Sequence, residues 1–196
     1  MVYDNLSVYL LNNSLWMSWN IFLALIPFWL ANHLFHPKRR VSIWWGFGVI
    51  FFILFLPNAP YIFTDLIHLA EAVNHITSPK MLIVATGQFL LLECIAFWLF
   101  VKSYRKFEKF ILKKKYYPQR YWMRLVSFVT VSIGVYLGRF LRLNSWDAFT
   151  KPLQVVTTLK YLGNFQAIFF IIEFSILLLF LYIAHEKLWV GDTEIN

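Results

Sequence analysis

Five apolar segments, at about residues 15–36, 42–56, 81–101, 125–143 and 165–185, dominate this sequence of 196 residues. A helix needs about 20 predominantly apolar residues to cross the hydrocarbon core of a bilayer. The second segment reaches that length only if a kinked or broken continuation extends it to residue 63. The pattern therefore predicts an all-α integral membrane protein with about five transmembrane helices.

The scarcity of charge supports the same class. Charged residues make up 14% of the chain and apolar residues 60%, whereas soluble domains average about 25% charged residues. A chain this poor in charge cannot cover its surface in water, so we expect residues 1–196 to form a single polytopic membrane domain. Cys94 is the sole cysteine, which excludes an intrachain disulfide.

Cations in the connections predict the orientation. The first connection carries Lys38, Arg39 and Arg40. The third connection, residues 102–124, carries nine cations opposed only by Glu108, whereas the second contains two carboxylates and Lys80. Cytoplasmic loops are enriched in lysine and arginine. The N-terminus is therefore expected outside and the C-terminus in the cytoplasm, in the plasma membrane.

The cations of the third connection also predict which partners this protein binds. Its cations are Lys102, Arg105, Lys106, Lys109, Lys113, Lys114, Lys115, Arg120 and Arg124. A basic cluster beside a membrane span is typical of contact with anionic lipid, and a docking site for a cytoplasmic protein is the alternative. Because most of the +8 net charge lies in this connection, nucleic acid is not an expected partner. We expect span three to continue here as a basic amphipathic helix along the inner leaflet.

The first polar motif begins at the end of span two. Pro57 and Pro60 each lack an amide donor and disfavour helix at the preceding residue, so Leu56 and Ala59 are expected to be extended. The carbonyls freed by such a break need partners, and Asn58 is suited to supply them.

A short amphipathic helix is expected after this break, at the outer membrane interface between spans two and three. Thr64 is predicted to cap it, with Asp65 in the first turn. Asp65, His68 and His75 would face water or the second polar motif. The opposite, apolar stripe is Leu66, Leu69, Ala70 and Val73. Three readings remain open: a divalent metal site (the spacing matches no established ligand motif), a histidine base oriented by Asp65, or a capping aspartate beside a solvated histidine.

The second polar motif, Gly138 to Asp147, ends span four. Arg139 and Arg142 lie on the side that the orientation leaves poor in cations. Either they extend to lipid phosphates of the outer leaflet, or they pair with Asp65, Asp147 or Asn58. Asn144 suits the end of a helix and Asp147 the first turn of the next one.

The residues on either side of this motif predict further elements. Thr130, Gly134 and Gly138 recur at every fourth position and predict a face for close helix packing. Pro152 is expected to begin a short helix that ends near Tyr161.

Three polar residues lie within the spans: Gln88 and Glu93 in span three and Glu173 in span five. An ionisable group near the middle of a bilayer is a candidate functional group. The structural alternative is a neutral carboxyl group that makes one hydrogen bond between helices.

Both motifs together resemble a family of bacterial multi-pass membrane proteins, the domain of unknown function thirteen-sixty-one. The resemblance is carried by Phe55-Leu56-Pro57-Asn58-Ala59-Pro60-Tyr61, by Thr64-Asp65 and His68-Leu69, and by Gly138-Arg139-Phe140-Leu141-Arg142-Leu143-Asn144-Ser145-Trp146-Asp147. It extends over nearly the whole chain. It implies the membrane fold but no reaction, and His75 lies outside the matching residues.

These observations lead to three hypotheses. In the first hypothesis, the two motifs meet at an outward-facing polar site. This site binds or acts on a lipid or a lipid-linked anionic group. The candidate catalytic residues are Asp65, His68 and Asp147, and the candidate binding residues are Asn58, Tyr61, Arg139, Arg142 and Asn144. No cofactor or metal site is predicted, and whether the protein is an enzyme stays open. In the second, the motifs form an ion-paired clasp in an assembly subunit. In the third, a homo-oligomer transports a solute by means of Glu93 and Glu173.

Overall fold

A computed structural model describes residues 6–73, 78–112 and 117–189, and these residues contain helices and no strand. The nine α-helices are α1 (Leu6–Leu34), α2 (Ile43–Phe55), α3 (Asn58–Tyr61), α4 (Leu66–Val73), α5 (Pro79–Leu112), α6 (Tyr117–Arg139), α7 (Asp147–Thr150), α8 (Pro152–Thr158) and α9 (Phe165–Trp189). Two 3₁₀ helices, Ile62–Asp65 and Leu159–Gly163, precede α4 and α9.

Five stretches of this helical chain are long and apolar enough to cross a membrane, which confirms the predicted class. They are Asn13–Leu34, Ile43–Ala70, Pro79–Leu112, Gln119–Arg139 and Phe165–Trp189. The second combines α2, α3, the 3₁₀ turn and α4, so span two is indeed completed by a broken continuation. The short helical segment expected after Pro152 is present as α8 and the second 3₁₀ helix.

The chain divides into two compact units, Met1–Phe107 and Glu108–Asn196, and the boundary falls near the end of α5. The single domain predicted from the sequence stays a prediction.

In the first unit, α1 packs against α2 and α3. Two hydrogen bonds of Trp45 hold the turn between α1 and α2. The Trp45 indole Nε1 donates to the Leu34 carbonyl at 3.1 Å, and the Ser42 hydroxyl accepts from the Trp45 amide. Phe35 lies 4.9 Å from Phe52 and 5.2 Å from Phe107 between ring centroids. This aromatic cluster packs α1, α2 and α5 together.

In the second unit, α6 packs along α9. The Ser175 hydroxyl lies 3.0 Å from that of Ser132, and both side chains are buried. The packing face predicted for Thr130, Gly134 and Gly138 stays a prediction. Thr130 is exposed, and its hydroxyl donates to the Val126 carbonyl of its own helix.

The break at Pro57 differs from the prediction. Leu56 has φ −55° and ψ −37°, and Ala59 lies in α3, so neither residue is extended. Both take the helical backbone that a following proline disfavours, and the chain passes the prolines as short helical turns. Asn58 does supply a missing donor, because its Nδ2 donates to the Phe55 carbonyl at 2.9 Å.

The helix predicted after this break is present as α4, but the predicted roles of Thr64 and Asp65 at its start are wrong. The Thr64 hydroxyl donates backwards to the Tyr61 carbonyl instead of capping α4. Asp65, which was expected on the polar face, is buried at 2% exposure. The reason is that Asp65 ends the 3₁₀ helix Ile62–Asp65. A 3₁₀ helix has about three residues per turn, so the α-helical periodicity of α4 does not set the direction of Asp65. His75 lies outside the described residues.

The basic third connection is mostly helix. Span three continues as helix to Leu112 and α6 begins at Tyr117, and Lys113, Lys114 and Lys115 lie outside the described residues. Arg124, grouped above with the lipid-facing cations, is buried at 2% exposure.

Arg124 is held in a group of charges inside the second unit. Its Nε donates to the Glu108 carboxylate at 2.5 Å and its Nη2 to the Glu186 carboxylate at 2.9 Å. The Tyr182 hydroxyl donates to Glu108 at 2.9 Å, and the guanidinium lies over the Tyr182 ring. This arrangement connects α5, α6 and α9.

Replacing Arg124 by Met should destabilise the second unit strongly, because Glu108 would keep its buried charge without the arginine. We expect the free energy of unfolding to fall by about 3–5 kcal/mol, measured by titration with SDS in mixed micelles. Arg120→Met is the control. Arg120 lies 3.7 Å from Glu186 with its side chain 32% exposed, so its loss should cost about 0–1 kcal/mol. Equal stabilities of the two variants would contradict a structural role for the buried group.

Candidate functional site

The first unit contains a group of polar side chains on α1, the 3₁₀ turn and α5, namely Asn20, Asp65 and Glu93. The Asn20 amide Nδ2 donates to the Asp65 carboxylate at 2.9 Å. Glu93 of α5 is half-buried, and its buried Oε1 has no hydrogen-bond partner among the described residues. Asp65 therefore faces the interior of this unit instead of water.

Polar side chains continue from this group along α1 and α5. Gln88 Nε2 donates to the Ser14 hydroxyl at 3.3 Å. His68 is exposed, and its ring meets that of Trp16 edge to face with 5.7 Å between centroids. Asn58 and Tyr61 are half-buried. All the candidate residues of the first motif thus belong to one unit, but Asp65 and His68 differ in exposure.

The second motif folds as a tight loop after α6. Arg142 has φ 54°, a left-handed conformation that is favourable for glycine and costly for other residues. The Leu143 amide donates to the Leu137 carbonyl at 3.1 Å. A left-handed residue followed by such a returning amide is a known way to end a helix, but the left-handed position usually holds glycine or asparagine.

Asp147 holds this loop in place. Its buried carboxylate accepts from the Asn144 backbone amide at 2.8 Å and from the Asn144 side chain at 3.3 Å. It also accepts from the Thr150 hydroxyl at 3.3 Å. These donors, the Asn144 amide first, lower the pKa of Asp147 below its ordinary value of 3.8. Its contacts assign Asp147 to support of the loop, and its predicted catalytic role stays a prediction.

Arg142 and Asn144 are exposed on the loop that Asp147 supports, and Arg139 is half-buried at the last residue of α6. Phe140, Phe149 and Leu153 surround the loop with exposures of 51%, 51% and 81%. The loop therefore combines exposed cationic and amide side chains with exposed apolar ones. The predicted contact between the two motifs stays a prediction.

The two carboxyl groups of the spans have different surroundings. Glu93 belongs to the polar group of the first unit, whereas Glu173 is exposed on α9 in the second. No group of three or more histidine, cysteine, aspartate or glutamate side chains suited to a metal ion occurs in residues 6–73, 78–112 and 117–189.

Sequence reasoning missed Asn20 and the charges around Arg124. Two signals were available for the latter. Glu108 is the sole acid in a basic run, and Tyr182 and Glu186 lie four residues apart, on one face of span five. No comparable pattern predicts the contact of Asn20, because a single amide side chain in an apolar helix does not indicate which residue it will bind.

This fold and its polar motifs define a multi-pass helical membrane protein. Residues 19–181 match the model of the family described as "Protein of unknown function (DUF1361)", and the chain belongs to that family. No curated protein matches the chain. No solved structure matches it either.

Asp147→Asn should loosen the loop, because an amide nitrogen would replace one acceptor oxygen among three donors. We expect a loss of about 1–3 kcal/mol at neutral pH. The native pKa lies below the unfolded value, so the carboxylate stabilises the fold above about pH 4, and this stabilisation disappears as the pH falls through the native pKa. The difference between wild type and variant, measured in SDS titrations from pH 7 to pH 3, should therefore shrink below about pH 4. A constant difference would contradict the assignment.

Proposed function

We propose that this protein binds the phosphate of a lipid or lipid-linked group through the loop from Arg139 to Asn144, on the outer side of the plasma membrane. The observation that carries the proposal is the left-handed backbone of the exposed Arg142. Such a conformation costs of order 1–3 kcal/mol, and residues of this kind concentrate at functional positions.

Arginine suits this task for a specific reason. Its planar guanidinium makes paired hydrogen bonds to phosphate oxygens, which lysine cannot reproduce. Arg139 adds a second guanidinium three residues earlier, and Asn144 adds an amide. The exposed rings of Phe140 and Phe149 fit the apolar chain of a lipid beside its charged head.

The proposal concerns binding first. Catalysis would need a group that transfers a proton or attacks the phosphate. The Asp147 carboxylate already accepts hydrogen bonds from Asn144 and Thr150 of its own loop. The catalytic roles of Asp65 and His68 stay predictions, and whether the protein is an enzyme stays open.

Arg142→Gly separates binding from folding. Glycine adopts the left-handed conformation without strain, so the free energy of unfolding should stay unchanged or rise by up to about 1 kcal/mol. Binding should weaken by about ten- to a hundredfold, because charge-assisted hydrogen bonds to phosphate are lost. The measurement is lipid retention in nanodiscs of phosphatidylcholine that contain phosphatidic acid or phosphatidylglycerol.

Lys160→Gln is the matched control, since it removes an exposed cation of the same connection outside the loop. Competition by inorganic phosphate would identify free phosphate instead of lipid as the ligand. Two results would contradict the proposal: retention by Arg142→Gly equal to wild type, or a loss of stability in that variant, which the clasp hypothesis requires.

The orientation part of the proposal has its own test. With Cys94 replaced by Ala, a cysteine at Phe149 should react with a membrane-impermeant maleimide added to intact cells. A cysteine at Trp44, next to the first basic connection, should react only after permeabilisation. Both positions are exposed, at 51% and 78%. The reverse pattern would place the loop in the cytoplasm.

A further inference from the structure

The outer face of α9 carries an ionisable side chain in the middle of an apolar surface. Glu173 is exposed, and Phe169, Ile172, Ile176 and Phe180 around it are 53%, 53%, 62% and 67% exposed. These positions are separated by three or four residues, so they form one stripe along the helix.

This stripe lies on the side of α9 that the second unit does not use. The buried side chains of α9 are Ala167, Phe174, Ser175, Leu178 and Tyr182, and Ser175 and Tyr182 make the hydrogen bonds to α6 and α5. Among the described residues no hydrogen bond or ion pair engages the Glu173 carboxyl.

With α9 crossing the bilayer from its first residue, Glu173 would lie deep in the hydrocarbon core. It is eight residues from the start of α9 at Phe165, a distance of about 12 Å at 1.5 Å per residue. Half of a hydrocarbon core is about 15 Å. Lipid tails offer no hydrogen bonds at this depth, and ionisable residues there almost always face protein or pair with one another.

We propose that a second copy of this chain covers this face, so that α9 packs against α9 around a two-fold axis with the two Glu173 side chains in contact. A symmetric helix pair places the same residue of each copy opposite itself. Hydrocarbon disfavours the ionised carboxylate, and a neutral carboxyl group both donates and accepts. Two such groups satisfy each other, so a second copy of the chain provides the chemistry that Glu173 requires without a cation.

The test uses the full-length protein labelled with one fluorophore and reconstituted in bilayers at decreasing protein density. Wild type should be dimeric by single-molecule photobleaching. Glu173→Leu should weaken the dimer about tenfold, the range of interhelical hydrogen bonds in membranes. Glu173→Gln should retain it, because the amide still donates and accepts. Ile83→Leu, at a 72% exposed apolar position of α5, is the control and should leave the dimer unchanged.

Cross-linking gives an independent readout. In a Cys94→Ala background, single cysteines at Ile172 and Ile176 should form disulfides between copies under mild oxidation, whereas a cysteine at Ile83 should not. A monomeric wild type at every density would overturn the proposal and leave a different protein to cover Glu173. A dimer unaffected by Glu173→Leu, or cross-links at Ile83 alone, would also overturn it.

Discussion

Polar side chains in the spans of this protein must find partners within the protein, because hydrocarbon offers none. In the first unit the Asn20 amide binds the buried Asp65 carboxylate. In the second unit Ser132 and Ser175 join α6 to α9, and Glu108 and Glu186 bind Arg124. Each of these contacts connects different helices, so the same requirement that makes a polar group costly in a membrane determines which helix faces pack together. Glu173 on α9 is exposed instead, and the proposed dimer would give its carboxyl group a partner.

In the loop after α6, a buried side chain supports the backbone and other side chains are exposed. Asp147 is buried and receives three donors, whereas Arg142 projects from a backbone conformation that favours glycine. A helix end that only had to stop would hold glycine at that position. Under the proposed function, this unfavourable conformation reflects a requirement for the arginine side chain.

Local patterns predicted some of this structure correctly and failed in identifiable places. The five spans, the extension of span three and the donor role of Asn58 follow from apolar run length and from the missing donors of Pro57 and Pro60. The direction of Asp65 does not, because a 3₁₀ turn before α4 changes the helical phase. The sequence did not predict the burial of Arg124 for a different reason. A cation at the membrane edge looks the same in sequence whether it faces lipid or a buried carboxylate.

The sequence by itself determined the class of protein, the number of spans and the two polar motifs, because run length and proline chemistry act within a few residues. Only the tertiary structure decided which polar residues are buried supports, such as Asp65, Glu108 and Asp147, and which are exposed, such as His68, Arg142 and Glu173. That distinction depends on which helix faces meet, and the partners in those contacts are up to 74 residues apart, as Glu108 and Tyr182 are.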